Sequence, residues 1–269
     1  MVDGQHGELM SIKNSPDFFI SFEGKVALVT GSSHGIGEAI ALSLTKNNCK
    51  VMFNGRNKKK LEKIKRNLGP NVDYVIGDVT DPNECKSIIK RIKNVWGRLD
   101  YLVCNVGGGT SVPPLSERVV DWQHMFELNF FSTTNIVKES LPLLEKSHGA
   151  IVCISSIAGV ENIGAPIPYF AAKSALNAFV KGMAEPLANK SIRINAIAPG
   201  NITFPGSVWE KKMKKDEKFV QDFLEKHVSM KRLGSPSEIS PMVLFLLSDY
   251  ASFITGSIII IDGGQTKRV

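Results

Sequence analysis

The chain has 269 residues, 43% hydrophobic and 22% charged, with a formal charge of +7. That balance excludes a disordered or fibrous chain, and the length suffices to bury a core without disulfides or metals. No apolar run reaches the roughly 20 residues of a membrane helix, and the start lacks the basic head and apolar stretch of a secretory leader.

Residues 1–21 are polar and aperiodic and read as an arm outside the fold, with residues 22–269 forming one domain. Strand candidates follow at 25–30, 50–54, 72–76, 99–104, 150–155, 192–198 and 257–261. Most are continuous apolar runs without alternation, the pattern of strands buried on both faces of a parallel sheet. Between them, helical periodicity marks 36–46, 59–68, 83–95, 122–144, 169–188 and 236–247. This alternation predicts an α/β fold, a doubly wound, mostly parallel seven-stranded Rossmann-type sheet with helices on both faces.

One stretch breaks the rhythm. Residues 204–230 set Trp209, Phe219, Phe223 and Leu224 among lysines and acids, where the strand order leaves them at the carboxyl edge of the sheet. They are a candidate lid. Its lysines Lys211, Lys212, Lys214, Lys215 and Lys218 are interleaved with Glu210, Asp216 and Glu217, which favours a solvated helix face over an anion site. Cys49, Cys85, Cys104 and Cys153 match neither a redox pair nor a zinc set and read as buried thiols in a reducing compartment; no metal site is expected. The positive excess comes without a nucleic-acid motif, so a soluble cytoplasmic protein with neither nucleic-acid nor membrane partner is expected.

The chemistry starts at Thr30-Gly31-Ser32-Ser33-His34-Gly35-Ile36-Gly37, between the first strand and the first helix. Gly31 permits a sharp turn, Gly35 a close approach of backbone to pyrophosphate, and Gly37 tight packing of helix on strand. The helix then presents free N–H groups to an anion, with Ser33 and Ile36 beside it. The second strand ends Asn54-Gly55-Arg56, so Gly55 stands where an NAD site carries an acid. Arg56 offers a guanidinium fork to a 2′-phosphate, and Lys58, Lys59 and Lys60 add positive potential. NADP(H) is therefore expected over NAD(H), the alternative being that these cations only begin a solvated helix. Further on, Tyr169-Phe170-Ala171-Ala172-Lys173 places a phenol and an ammonium one helical turn apart. The ammonium is expected to lower the phenol pKa, fitting Tyr169 to exchange a proton with a carbonyl oxygen.

The spacing Gly-x-x-x-Gly-x-Gly, followed by Tyr-x-x-x-Lys, resembles the short-chain dehydrogenase/reductase family, in its short single-domain branch, over about residues 22–265. The resemblance implies a Ser-Tyr-Lys(-Asn) group. It selects Ser156 over Ser155, because Ser156 lies the family's thirteen residues before Tyr169, and it gives Asn129 a role in holding water that leads to Lys173. It implies that His34 assists at the 2′-phosphate, that Asp78 and Val79 touch the adenine edge, and that Asn105 lines the adenosine ribose. Here the family's Asn-Asn-Ala-Gly reads Cys104-Asn105-Val106-Gly107. Pro199, Gly200 and Ile202 match the turn facing the nicotinamide carboxamide; where relatives often carry threonine this chain has Phe204, leaving Thr203 or the backbone as substitute. A substrate pocket is expected from residues 108–114, 160–163 and 206–209. The implied activity is hydride transfer between nicotinamide and a carbonyl or secondary alcohol, with a 3-oxoacyl thioester, as in 3-oxoacyl-carrier-protein reductases, ahead of sugars or polyols. An epimerase or dehydratase and a non-catalytic NADP(H)-binding module are the rivals. The resemblance also implies a homotetramer built on the helices at 122–144 and 169–188.

Overall fold

The structure is a computed structural model that describes residues 20–267. Apart from Ile20 and Ser21, the arm expected at 1–21 lies outside the described residues. Seven strands, β1 (Val26–Val29), β2 (Lys50–Gly55), β3 (Val72–Ile76), β4 (Tyr101–Cys104), β5 (Ala150–Ile154), β6 (Arg193–Pro199) and β7 (Ile258–Ile261), form one sheet in the order β3-β2-β1-β4-β5-β6-β7. Every pair is parallel. The apolar runs without alternation have this cause: β1, β4 and β5 are buried along their whole length.

Helices α1 (Gly35–Lys46), α2 (Lys58–Leu68), α3 (Pro82–Trp96), α4 (Val119–Phe126), α5 (Ser132–Ser147), α6 (Ile167–Ala188), α7 (Val208–Lys215), α8 (Glu217–His227) and α9 (Pro236–Leu247) complete the chain. On one face Ile40 and Leu44 of α1 and Val243 and Leu247 of α9 pack on Val29, Phe53 and Val103. On the other, Ile88 and Ile92 of α3, Ile136 of α5 and Leu176 of α6 cover Leu28, Leu102 and Ile151. This is the expected doubly wound, single-domain Rossmann-type architecture, with the strand order reversing between β1 and β4. A groove therefore opens at the carboxyl ends of those strands, because the connections leave to opposite sides there. Among the described residues no helix is long and apolar enough to cross a membrane.

Three departures from expectation matter for the site. The helix expected at 122–144 is interrupted: α4 and α5 are joined by a π-helical turn, Glu127–Phe131, that takes in Asn129. Simple 3.6 periodicity cannot reveal this single wide turn. α6 starts at Ile167, so Tyr169 stands in its first turn, where Pro168 is tolerated without loss of a helical bond. Residues 204–230 contain two short helices, each capped by its preceding side chain: Ser207 accepts from the Glu210 N–H, and Asp216 from the Phe219 N–H. Val220, Leu224 and Val228 give this pair a small apolar cluster separate from the main core.

Asp100, almost wholly buried, fixes the start of β1 beneath the glycine turn. Its Oδ2 accepts from the Val26 N–H at 2.9 Å, and Arg98 donates to both carboxylate oxygens. Asp100→Ala strands the buried Val26 N–H and should lower unfolding free energy by about 2 kcal/mol in urea denaturation, whereas Asp100→Asn should recover most of that loss.

Candidate active site

The groove at the strand ends encloses about 1290 Å³. Gly31, Ser33, His34, Ile36, Arg56, Asp78, Val79, Asn105, Gly107, Ser156, Tyr169, Lys173, Pro199, Gly200 and Ile202 all line it, so fifteen residues singled out from the sequence converge there. Gly35, Gly37 and Asn129 support it from behind.

At the first end, Gly35 has a positive φ of 62°, a conformation that favours glycine. Helix α1 begins there, and its N-cap His34 makes no side-chain cap bond. The turn is clamped by two asparagine side chains. Asn105 Nδ2 donates to the carbonyls of Thr30 and Gly31 at 3.0 and 3.2 Å, and a Cβ on Gly37 would lie 2.4 Å from that nitrogen. Asn105 thus spends its amide on the turn, which places its side chain in a supporting role beside the ribose position implied for it. Asn54, buried at the end of β2, donates to the Gly77 carbonyl at 3.1 Å, and its Oδ1 lies 3.5 Å from the Gly31 N–H. Asn54 was not singled out in the sequence, although a polar residue closing an apolar strand run is the signal that could have found it, since such a group needs partners.

Next to this turn, Arg56 is exposed and pairs with Asp78 at 3.1 Å, with Ser33, His34, Asn57 and Lys60 nearby on the groove wall. Partial burial pushes the Asp78 carboxyl up, but the two hydrogen bonds from Thr80, with the Arg56 guanidinium beside them, together outweigh it and hold the group below its ordinary value.

At the other end, β5 leads directly into the two serines. Their side chains diverge. The Ser155 hydroxyl donates to Asn177 Oδ1 on α6 at 2.6 Å, whereas Ser156 Oγ accepts from the Ala158 N–H at 3.1 Å and contacts the Tyr169 phenol. Asn177 also donates to the Gly159 carbonyl at 2.8 Å, so it anchors the serine loop on α6. It too was missed; it lies one turn beyond Lys173 on the same helix face.

Lys173 is buried, and its Nζ donates to the Ile154 carbonyl at 2.9 Å. Desolvation lowers its pKa to about 8. The nitrogen lies 6.0 Å from the centre of the Tyr169 ring. Here the structure corrects an expectation: burial raises the Tyr169 pKa, opposed only by the contact with Ser156, so the phenol is not acidified. The reason is geometric. The ammonium is directed at a β5 carbonyl, while the phenol sits where a phenolate would be poorly solvated.

Asn129, fully buried in the π turn, accepts from the Gly108 N–H at 3.0 Å and donates to the carbonyls of Gly108 and Met125, each at 3.1 Å. It therefore pins the loop after β4. A Cβ on Gly107 would stand 2.8 Å from Asn129 Oδ1 and 3.1 Å from Lys173 Nζ, so a glycine keeps the gap between them open.

The expected substrate pocket is only partly right. Gly108, Gly109, Ile163, Val208 and Trp209 line the groove, but residues 110–114, 160–162 and 206 do not. His124 of α4 and Glu127 and Leu128 of the π turn line it instead, along with Phe219, Phe223 and Lys212. The other lysines of α7 and α8 lie off the groove, and the Lys212 amine rests 4.5 Å over the Trp209 ring. Thr203 does not line the groove; its N–H is bound to the Gly234 carbonyl, and Phe204 and Ile202 face inward.

Residues 31–266 match the family model described as enoyl-(acyl carrier protein) reductase. The chain is 33% identical over 247 residues to the 3-oxoacyl-[acyl-carrier-protein] reductase of Escherichia coli K12, covering 91% of this chain and 99% of that one. Among solved structures, L-sorbose reductase from Gluconobacter frateurii, complexed with NADPH and L-sorbose, superposes with a TM-score of 0.87 at 29% identity, covering 93% and 99% of the two chains. An NADPH-bound short chain oxidoreductase from Pseudomonas aeruginosa, whose catalytic center is described as atypical, gives a TM-score of 0.87 at 28% identity, covering 93% and 100%. The chain belongs to the short-chain dehydrogenase/reductase family.

The buried amine carries a stability consequence. With a folded-state value near 8 and an ordinary unfolded value, Lys173 binds fewer protons in the folded chain between pH 8 and about 10.4, so its unfavourable contribution is full below pH 8 and fades as pH rises. Lys173→Met should raise stability at pH 7 by roughly 1–3 kcal/mol, and the gain should shrink toward pH 10 in thermal melts.

Proposed function

We propose that this member of the short-chain dehydrogenase/reductase family is an NADP(H)-dependent oxidoreductase acting on a carbonyl or secondary alcohol, with Ser156, Tyr169 and Lys173 as its reacting group and Asn129 as a positioning residue. The observation that carries the reading is the meeting of Ser156, Tyr169 and Lys173 in one groove with a glycine turn and Arg56 at its far end.

The chain's own residues fit the coenzyme. The start of α1, whose N-cap His34 makes no side-chain cap bond, suits a pyrophosphate. Arg56 and Lys60, with no acid at Gly55, suit a 2′-phosphate. The NADPH held by the Gluconobacter and Pseudomonas structures supports the same choice. Asp78 and Val79 then face the adenine, and Pro199, Gly200 and Ile202 the carboxamide end.

When bound, the nicotinamide would supply or accept the hydride at the substrate carbon. The remaining work falls to side chains. Ser156 Oγ donates to the carbonyl oxygen and fixes it. Tyr169, kept protonated at neutral pH by its burial, gives its hydroxyl proton to that oxygen as the carbon is reduced, and takes one back in the reverse direction. Lys173, with a pKa of about 8 and its amine 6.0 Å from the Tyr169 ring centre, can restore the proton on Tyr169 Oη through an intervening hydroxyl or water. Residues 204–230 act as a lid, a role supported by their separate apolar cluster and by Trp209 and Phe223 on the groove wall.

A 3-oxoacyl thioester is the favoured substrate, on the likeness to the Escherichia coli reductase. A sugar or polyol is the second reading, on the likeness to L-sorbose reductase. A homotetramer through the faces of α4–α5 and α6 belongs to the same proposal, supported by the exposed Val119, Val120, Phe131 and Ile167.

NADPH consumption against 3-oxoacyl thioesters, keto-sugars and simple ketones tests the reading. Tyr169→Phe should lose at least about a hundred-fold in kcat while still binding NADPH; a variant that turns over like the wild type contradicts the acid–base role. Arg56→Ala should weaken NADPH by roughly ten-fold and leave NADH nearly unaffected in equilibrium titration, since only the former carries the phosphate.

A further inference from the structure

Phe204 stands where the glycine turn should be open. A Cβ built on Gly35 would meet three carbons of the Phe204 ring, at 2.6, 2.7 and 3.0 Å. The ring thus lies in contact with the Gly35 backbone, on a surface that lacks a side chain. It also meets the His34 ring edge-on, with centroids 6.2 Å apart. A ring there and a pyrophosphate drawn close over Gly35 compete for the same space.

The surrounding chain allows the ring to leave. Up to Thr203 the strand tail is held, since Ile202 bridges to Gly234 and the Thr203 N–H binds the Gly234 carbonyl. Beyond it, the Phe204 N–H binds Ser207 Oγ and the Ser207 N–H binds the Phe204 carbonyl, closing a four-residue loop at the root of α7. Within that loop Gly206 has a φ of 86° and open space around it. Helices α7 and α8 hold together through their own cluster, whereas Phe204 packs against the main core. The ring is therefore the pin that fastens a separately packed unit to the coenzyme turn.

We infer that Phe204 is a gate on the coenzyme site: its ring covers the Gly35 turn and must swing away, about the loop 204–207, before a dinucleotide pyrophosphate can seat. The inference rests on the NADP(H) reading above. Only the fraction of molecules with the ring displaced is competent, so apparent affinity falls by that fraction, and removing the ring restores it.

Stopped-flow binding of NADPH to the full chain, followed by coenzyme fluorescence, tests the gate, with folding of each variant verified by circular dichroism. Phe204→Ala, which removes the ring without adding a polar contact, should bind about five-fold faster and correspondingly tighter, and Phe204→Trp should bind more slowly than wild type, because the competent fraction rises in the first and falls in the second. If Phe204→Ala binds more slowly or more weakly than wild type, the ring is a wall of the coenzyme seat and the gate is refuted, although the coenzyme reading survives. If neither wild type nor variants bind NADPH, both the gate and that reading fall.

Discussion

A lysine ammonium that is almost entirely withdrawn from water dictates much of how the groove is built. Lys173 reaches β5, where the Ile154 carbonyl receives its proton at 2.9 Å, and there is no carboxylate among its bonded partners. A buried cation without a counter-ion costs stability and must be held by geometry. Each neighbouring element supplies part of that geometry: α6 sets the lysine one turn below Tyr169, the serine loop locks onto α6 through Asn177, and the missing side chain at Gly107 leaves room above the amine. The cost is of the kind found where function overrides stability.

The two ends of the groove follow different electrostatic rules. Around Lys173 and Tyr169 burial dominates, moving the amine down and the phenol up, so that of the two the amine gives up its proton first. Around Arg56 exposure dominates. The guanidinium is open to solvent and pairs with Asp78, an arrangement worth little by itself and readily opened. A firm, buried end and an adjustable, exposed end of the groove are thus joined by one sheet, whose turn between β1 and α1 is clamped by Asn54 and Asn105.

Which residues gather at the groove was legible where type and spacing mark a motif, as for the glycine turn, Arg56, Tyr169 and Lys173, with Ser156 picked out by the family spacing. The parallel seven-stranded sheet was legible too, because strand and helix periods differ. Roles set by three-dimensional partners were not. Asn54 and Asn177 acquire meaning only when their amides meet the carbonyls of Gly77 and Gly159. The π turn around Asn129 disrupts a helix whose apolar pattern reads as continuous, and it carries Glu127 and Leu128 on the groove wall. The acidity of Tyr169 was misjudged for the same reason: spacing puts an ammonium nearby, but burial and the direction of its hydrogen bond determine what the phenol feels.

The most direct test is to titrate Lys173 itself, following the ε-carbon resonance of specifically labelled lysine by NMR and assigning it through Lys173→Met. Deprotonation near pH 8 is predicted. A midpoint at the ordinary lysine value of about 10.4 would mean that the amine is solvated, and would contradict the buried-cation account of the site.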